Sequence, residues 1–178
     1  MTDRAQQVIL DSVQVGEIIT SLVRQIAQEG KNLGNLAIVG IRRRGVPLAQ
    51  RISAQIEKLY GVKLELGILD ITLYRDDLSL IAVQPVVHAT EINFNVEGKR
   101  IVLVDDVLFT GRTVRAAISE ILDFGRPAKI ELAVLVDRGH RELPIAADYI
   151  GKKIETRRDE LVDVLLTETD GEDKVVIR

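Results

Sequence analysis

The order of apolar segments along the chain predicts an α/β fold, with a mostly parallel central sheet flanked by helices. Short segments rich in Val, Ile and Leu alternate with longer segments in which apolar residues recur at helical spacing. Alternation of this kind is typical of βαβ units and a parallel sheet. No repeat, low-complexity run or linker interrupts the 178 residues, which fit one domain.

The predicted elements follow one another in a regular order. Asp11 and Ser12 form an N-cap pair ahead of the first helical pattern, and Gly30 ends that pattern. The later segments are a strand at 36–39, a helix at 47–60, a strand at 64–73, a loop or extended hairpin at 75–92, a strand at 101–104, a helix at 114–124 and a strand at 130–136. The first of these strands is broken at Gly40, and the helix at 114–124 has Ile118, Ile121 and Leu122 inward. In the tail, Val162, Val164 and Leu166 share one face of an alternating segment.

Charge and composition exclude several classes of protein. The net charge of −3, from 24 Lys and Arg against 27 Asp and Glu, argues against a generally basic nucleic-acid binder but leaves a local basic face open. The chain has no cysteine, so it has neither disulfides nor thiolate metal sites. No signal peptide is recognisable, and no apolar run approaches the roughly 20 residues of a membrane helix. We therefore expect a cytoplasmic protein without a membrane partner.

The most informative segment is residues 101–113, in which an apolar strand runs into two acids and a Thr-Gly-Arg-Thr loop. Asp105 and Asp106 follow the strand at the sheet edge where open α/β folds bind ligands. The loop precedes a helical pattern, so its backbone N–H groups can bind an oxyanion. Thr113 can also cap the helix. An ordinary strand-to-helix turn is the alternative, but the paired acids favour a ligand with a phosphate and a vicinal diol or metal.

A second anion site is predicted at residues 40–45, Gly-Ile-Arg-Arg-Arg-Gly, directly after an apolar strand. Guanidinium groups match phosphate oxygens with two parallel hydrogen bonds. A basic surface turn is the alternative explanation.

These two motifs resemble those of the type I phosphoribosyltransferases, in which the segment at 101–113 binds phosphoribosyl pyrophosphate (PRPP). The resemblance extends over residues 9–177. Segments 70–78, 134–144 and 147–152 are similar to one branch of that superfamily, the bacterial pyrimidine operon attenuation regulators, which are also uracil phosphoribosyltransferases.

The resemblance implies a type I phosphoribosyltransferase fold in one domain, residues 1–178, with a flexible loop at about 74–92 and a small C-terminal hood at about 137–178. It implies transfer of phosphoribose from PRPP to uracil, giving UMP and diphosphate, with Mg²⁺ as cofactor. It also implies homodimers or larger homo-oligomers. Two alternatives stay open, a nucleotide-sensing regulator with little turnover and an enzyme without an RNA-binding role.

The resemblance also assigns site residues. Asp105 and Asp106 would bind the ribose hydroxyls, with or without metal-bound water, and which of them faces the ribose is left open. Tyr74 and Arg75 would close over the site as catalytic loop residues, although packing explains Tyr74 almost as well. The PRPP-binding residues are Val107, Leu108, Phe109, Thr110, Gly111, Arg112 and Thr113, and the pyrophosphate-binding residues are Ile41, Arg42, Arg43, Arg44 and Gly45.

The base would lie near Asp137, Arg138 and Val162. Purine-specific relatives carry an acid at the position of Phe109, so the apolar residue here disfavours a 6-oxopurine and favours a pyrimidine. A purine phosphoribosyltransferase is the alternative that this residue argues against. His140 could act as a base, but a structural role is favoured.

The same branch binds pyrimidine operon leader RNA, with UMP and PRPP as opposing effectors. The first-helix residues that match its RNA face are only partly kept, as Thr20 and Arg24. A basic RNA-binding patch could be formed by Arg24, Lys152, Lys153, Arg157 and Arg158, and a solvated surface is an equally good account.

Overall fold

A five-stranded parallel sheet forms the centre of the protein. The computed structural model describes residues 6–29, 32–74 and 88–178. The strands of this sheet are β2 (Leu36–Ile41), β3 (Glu65–Leu69), β4 (Arg100–Leu108), β5 (Lys129–Asp137) and β6 (Tyr149–Lys153), arranged in the order β3-β2-β4-β5-β6. Every pairing in the sheet is parallel. The predicted α/β class with a mostly parallel sheet is therefore confirmed.

Helices cover both faces of the sheet. Helices α1 (Ser12–Glu29) and α2 (Gly45–Tyr60) pack on one face, and α3 (Arg112–Asp123) packs on the other. Successive strand residues point to opposite faces, so Val102 and Val104 join the α1–α2 core while Ile101 and Leu103 join the α3 core. A strand buried on both faces has no polar positions, which explains the unbroken apolar run before Asp105.

A second, antiparallel sheet lies beside the first. It contains β1 (Gln7–Leu10), β8 (Lys174–Ile177) and β7 (Val162–Leu165), in that order, with the short helix α4 (Thr167–Asp170) between β7 and β8. The hood prediction named only C-terminal residues, but the N-terminal strand β1 pairs with β8 in this sheet. The tail has the predicted alternation, with Val164 and Leu166 fully buried.

Several predicted boundaries are wrong. Gly40 lies inside β2, and the strand predicted at 64–73 ends at Leu69, where a 3₁₀ turn (Ile71–Tyr74) begins. Helix α3 begins at Arg112, two residues earlier than predicted, and Leu122 is 52% exposed instead of inward. The N-cap prediction for α1 is confirmed, because the Gln14 amide donates to Asp11 Oδ1 at 2.9 Å and the Asp11 amide donates to Gln14 Oε1 at 3.0 Å.

The strand β4 extends four residues beyond the predicted end at Val104. It includes both acids and ends at Leu108. Asp105 and Val107 pair with Val134 and Val136 of β5, so the acids are held by the ladder. The division into one domain with a flexible loop stays a prediction, and most of that loop lies outside the described residues. None of the described helices is long and apolar enough to cross a membrane.

Candidate active site

A cleft of about 290 Å³ opens at the carboxyl edge of the parallel sheet. It is lined by four segments, namely the arginines after β2, the turn after β3, the end of β4 with its two acids, and the start of α3. The lining residues are Arg42, Arg43, Arg44, Asp70, Ile71, Thr72, Asp105, Asp106, Val107 and Thr113. The fold thus brings the acidic pair and the arginine loop together in one cleft.

The acidic pair is held at the end of a buried strand. Asp105 is 6% exposed, and its Oδ1 accepts a hydrogen bond from the Asp106 amide at 2.9 Å. Burial raises the pKa of the Asp105 carboxyl well above its usual range, and the like charge of Asp106 raises it further. Burial also raises the pKa of Asp106, although hydrogen bonds and the nearby charge of Arg44 act in the opposite direction. A hydroxyl donor or cation in the cleft would stabilise both ionised groups.

The loop after β4 leads directly into helix α3. Gly111 occupies the N-cap position of α3 with a φ of 92°, a left-handed conformation that glycine adopts without steric cost. The prediction that Thr113 caps this helix is wrong, because Thr113 is the second helical residue and Gly111 holds the N-cap position. The Arg112 amide, the first of the helix, donates to Thr110 Oγ1 at 3.3 Å. The N–H groups of a first helical turn point out of the helix, so a phosphate placed there could accept hydrogen bonds from them.

Phe109 packs against two side chains of the loop after β5. The Arg138 guanidinium carbon lies 4.0 Å from the centroid of the Phe109 ring, and the His140 ring meets it edge-on at 6.0 Å. His140 Nε2 lies 2.7 Å from the Thr156 carbonyl, so that nitrogen carries a proton in this arrangement. The contacts of His140 favour the structural role over that of a base.

The arginine loop packs directly against β4. The Arg42–Arg43 peptide bond of this loop is cis. A Cβ atom on Gly45 would lie 2.3 Å from the Val104 carbonyl oxygen, so only glycine fits this approach. The loop is therefore fixed beside the acids by backbone packing.

The three arginines have different partners. Arg44 Nε and Nη2 donate to the two carboxylate oxygens of Asp170 in α4, at 3.1 and 2.9 Å. Arg42 Nη2 donates to the Ala89 carbonyl at 3.2 Å, while Arg43 is exposed. Asp170 was not predicted from the sequence, because no local pattern connects residues 126 positions apart.

The predicted loop residues are placed only in part. Tyr74 donates from its hydroxyl to Asp123 Oδ2 at 2.6 Å and packs against the α3 core, so its contacts are those of the packing alternative. Arg75 lies outside the described residues. Asp70, also missed by the sequence analysis as a cleft residue, accepts hydrogen bonds from the Thr72 hydroxyl and the His88 amide, both at 2.5 Å.

The residues predicted to bind the base have different surroundings. Asp137 lines a cavity of about 400 Å³ with Gly139, Arg141, Lys153, Ile154 and Glu155. Arg138 stacks on Phe109 and donates to the Arg157 carbonyl at 2.9 Å. Val162 is partly buried against the α1–α2 core.

The residues predicted to bind RNA are dispersed. The Thr20 hydroxyl donates to Gln55 Oε1 of α2 at 3.2 Å, whereas Arg24 is exposed on α1. Lys152 and Lys153 are adjacent on β6, so their side chains point to opposite faces of the sheet. Lys153 lines the same cavity as Asp137.

Comparison with known proteins identifies the family. The sequence model of the phosphoribosyl transferase domain family matches residues 5–166. A protein of Caldicellulosiruptor bescii named bifunctional protein PyrR is 57% identical over 169 residues, which cover 95% of this chain and 93% of that protein. Its namesake in Clostridioides difficile is 54% identical, with 100% of this chain and 99% of that protein covered. The chain therefore belongs to the phosphoribosyltransferase family, and within it to the group named bifunctional protein PyrR.

Solved structures show the same fold. The hypoxanthine phosphoribosyltransferase of Trypanosoma cruzi superposes with a TM-score of 0.73 at 17% identity, covering 96% of this chain and 95% of that one. The hypoxanthine phosphoribosyltransferase of Staphylococcus aureus gives a TM-score of 0.67 at 23% identity, covering 88% and 80%. The family and the fold predicted from the sequence are thus confirmed.

Proposed function

We propose that this protein transfers phosphoribose from PRPP to uracil, giving UMP and diphosphate. The observation that carries the proposal is the cleft in which the acids of β4, the arginine loop and Thr113 at the start of α3 meet. These groups are complementary to a sugar that bears a 5′-phosphate, two hydroxyls and a pyrophosphate.

In the proposed reaction, uracil N1 attacks C1 of the ribose while the C1–O bond to pyrophosphate breaks and the N1 proton is released. The loop at 109–113 holds the 5′-phosphate on the N-terminus of α3. Asp105 and Asp106 accept hydrogen bonds from the ribose hydroxyls. Arg42 and Arg43 stabilise the negative charge that develops on the leaving pyrophosphate. The rate arises from positioning and electrostatics, so no covalent enzyme nucleophile is needed.

The residues of the cleft fit Mg²⁺ bound together with the substrate. Among residues 6–29, 32–74 and 88–178, no three His, Cys, Asp or Glu side chains are grouped so that they could hold a metal by themselves. Asp105 and Asp106 supply two carboxylates, and Mg²⁺ commonly takes one or two carboxylates plus phosphate oxygens. When bound, the ion would neutralise charge on the pyrophosphate.

Uracil is proposed as the base because of the residue at position 109. Phe109 is apolar and is covered by Arg138, so no carboxylate stands at this position to contact a purine ring. The name of the relatives, bifunctional protein PyrR, states no base, so the base specificity needs a direct test.

The test is an assay of radiolabelled uracil with PRPP and Mg²⁺, beside hypoxanthine, orotate and a control without PRPP. We expect UMP from uracil and no product from the other bases. Product from hypoxanthine in preference to uracil would replace the proposal with purine salvage. If no base reacts while PRPP or UMP still binds, the protein is a nucleotide sensor.

We also propose that the protein regulates pyrimidine genes by binding leader RNA in a UMP-dependent manner. The word bifunctional in the names of relatives at 54–57% identity supports a second role. Arg24 on α1 and Lys153 on β6 are the predicted RNA contacts that are exposed, and of the two Arg24 does not line the cavity of Asp137.

An RNA filter-binding experiment with and without UMP tests this role. Arg24→Ala should weaken binding and reduce the salt dependence of the affinity by about one phosphate contact. Arg126→Ala is the matched control, because Arg126 is exposed and follows α3, which packs on the sheet face opposite to α1. Equal affinity of both variants and the wild type would remove Arg24 from the interface.

A further inference from the structure

Arg141 makes an unusually large number of contacts at the carboxyl edge of the sheet, and none of the roles above involves it. Its Nη1 donates to the Phe109 carbonyl at 2.7 Å and to the Gly139 carbonyl at 3.2 Å. Its Nε donates to the Ile145 carbonyl at 3.0 Å. Its Nη2 donates to Asp137 Oδ1 at 2.6 Å. One guanidinium group thus joins the loop after β4 to the loop after β5.

The two ends of this connection differ in character. Phe109 begins the loop that we assign to the 5′-phosphate, and its carbonyl is a backbone atom of that loop. Asp137 lines the cavity of about 400 Å³ on the side of β6 and is one of the residues predicted to bind the base. Burial raises the pKa of Asp137, but the hydrogen bond from Arg141 and the Gly139 amide outweigh burial and lower it. Asp137 is therefore held as a carboxylate in a defined orientation.

Other contacts extend the same connection. The amides of Glu142 and Leu143 both donate to the Thr110 carbonyl, at 2.9 and 3.2 Å. Arg112, in the first turn of α3, pairs with the Glu142 carboxylate at 2.7 Å. The segment 138–145 therefore lies beneath the phosphate loop, and Arg141 is the side chain that ties this segment to Asp137.

We propose that Arg141 is a positioning residue that couples occupancy of the phosphate loop to the base site through Asp137. The inference rests on the proposed function, because it takes the loop at 109–113 as the phosphate site. A phosphate that orders the loop fixes the position of the Phe109 carbonyl. Because Arg141 is hydrogen-bonded to that carbonyl and to Asp137, the positions of Arg141 and Asp137 are fixed as well. Binding of the phosphate and binding of the base consequently reinforce each other, which is a coupling between two sites. UMP carries both the phosphate and the base, so the coupling increases its affinity. Ribose 5-phosphate has no base, so its affinity does not include the coupling.

The experiment compares UMP with ribose 5-phosphate by calorimetry on wild type and Arg141→Lys. Lysine keeps the charge but cannot form the fork of parallel hydrogen bonds. The Kd of UMP should rise about tenfold, as for loss of charge-assisted hydrogen bonds, while the Kd of ribose 5-phosphate rises about threefold or less. Equal factors for both ligands would reduce Arg141 to loop support and overturn the coupling. Arg126→Lys, at an exposed position, is the matched control and should change neither Kd.

A second variant keeps the test decisive if Arg141→Lys is poorly folded. Asp137→Asn retains the shape of the side chain but weakens its bond to Arg141. Ribose 5-phosphate has no base, so a purely local role for Asp137 predicts no change in its Kd. We expect that Kd to rise about twofold to threefold because the disturbance passes through Arg141 to the loop. An unchanged value would overturn the coupling, whereas failure of the wild type to bind UMP at all would overturn the proposed function instead.

Discussion

The two loops proposed to bind anions at the carboxyl edge of the sheet are built in opposite ways. The loop at 109–113, proposed to bind the 5′-phosphate, leads into α3 with Gly111 at the N-cap position, and groups of the segment after β5 donate hydrogen bonds to its carbonyls. In the arginine loop, Arg44 is already bound to Asp170 and Arg42 to the Ala89 carbonyl. The first design suits a phosphate that stays on the product. The second suits a leaving group, because the arginines keep partners when the pyrophosphate departs.

The largest effect on activity is expected for Asp105 and Asp106, which lie between the two loops. Asp105→Asn or Asp106→Asn should lower kcat/KM about 10- to 100-fold, since a charge-assisted hydrogen bond to the ribose contributes roughly 1.5–3 kcal/mol. Steady-state kinetics with varied PRPP measure this loss. Full activity in both variants would remove the ribose role.

The same variants should be at least as thermostable as the wild type. The two carboxyl groups are close, buried and of like charge, so neutralising one relieves repulsion. Thermal unfolding of Asp105→Asn is therefore expected at an equal or higher Tm. A large decrease in Tm would mean that the acids hold the strand end and that the kinetic loss is structural.

The position of the arginine loop should depend on Asp170 of α4, the helix that lies between two strands of the second sheet. Asp170→Asn removes the carboxylate that fixes Arg44 and should raise the KM for PRPP about threefold to tenfold with a smaller change in kcat, because a bidentate ion pair also sets geometry. Glu172→Gln is the matched control, since Glu172 pairs with Lys174 in the same turn. Equal KM values for the two variants would show that Arg44 is placed without Asp170.

Acid should weaken the attachment of α4 to α2. Arg51 Nη1 donates to Asp173 at 2.7 Å, and hydrogen bonds from Arg51 lower the pKa of Asp173 to about 2. Because this pKa is depressed by folding, the stabilisation is complete above the unfolded pKa near 4 and is lost as the pH falls towards 2.

Unfolding in urea between pH 5 and pH 2 measures this contribution. It should amount to about 1 kcal/mol after allowance for solvent screening. In Arg51→Gln the corresponding part of the pH dependence should disappear. A variant as acid-sensitive as the wild type would place the acid effect elsewhere.

The smallest effect is expected within the phosphate loop. Thr110→Val should raise the KM for PRPP about threefold, as for loss of one neutral hydrogen bond, because backbone groups do most of the binding. Ser119→Ala, which removes a hydroxyl bonded to the Arg115 carbonyl on the same helix, is the control. An unchanged KM for Thr110→Val would argue against a phosphate contact by this hydroxyl.

Local patterns predicted a large part of this structure. The apolar runs of β2, β4 and β5 and the helical spacing of α1 to α3 identified the parallel sheet, because burial on both faces leaves few alternatives. The predicted ends of two strands were wrong. Strand β2 continues through Gly40 and strand β4 continues through Asp105 and Asp106, although the apolar pattern stops before these residues. A strand can continue through polar residues when its ladder hydrogen bonds persist.

The second sheet and its ion pairs were beyond local patterns. Strand β1 pairs with β8, which lies at the other end of the chain, and four residues are too few to show a period. The bond between Arg44 and Asp170 and the contacts of Arg141 are long-range or loop-specific, so composition and spacing carry no signal for them.

The sequence by itself determined the family, the α/β class, the acidic pair and the two loops proposed to bind anions, because each depends on consecutive residues whose chemistry is local. Only the tertiary structure decided which cations are engaged, where the base candidates point and which residues connect the loops. Those properties depend on the meeting of segments distant in the chain, such as α2 with α4 and the loop after β4 with the loop after β5. A side chain becomes a partner only when the fold brings its acceptor within about 3 Å.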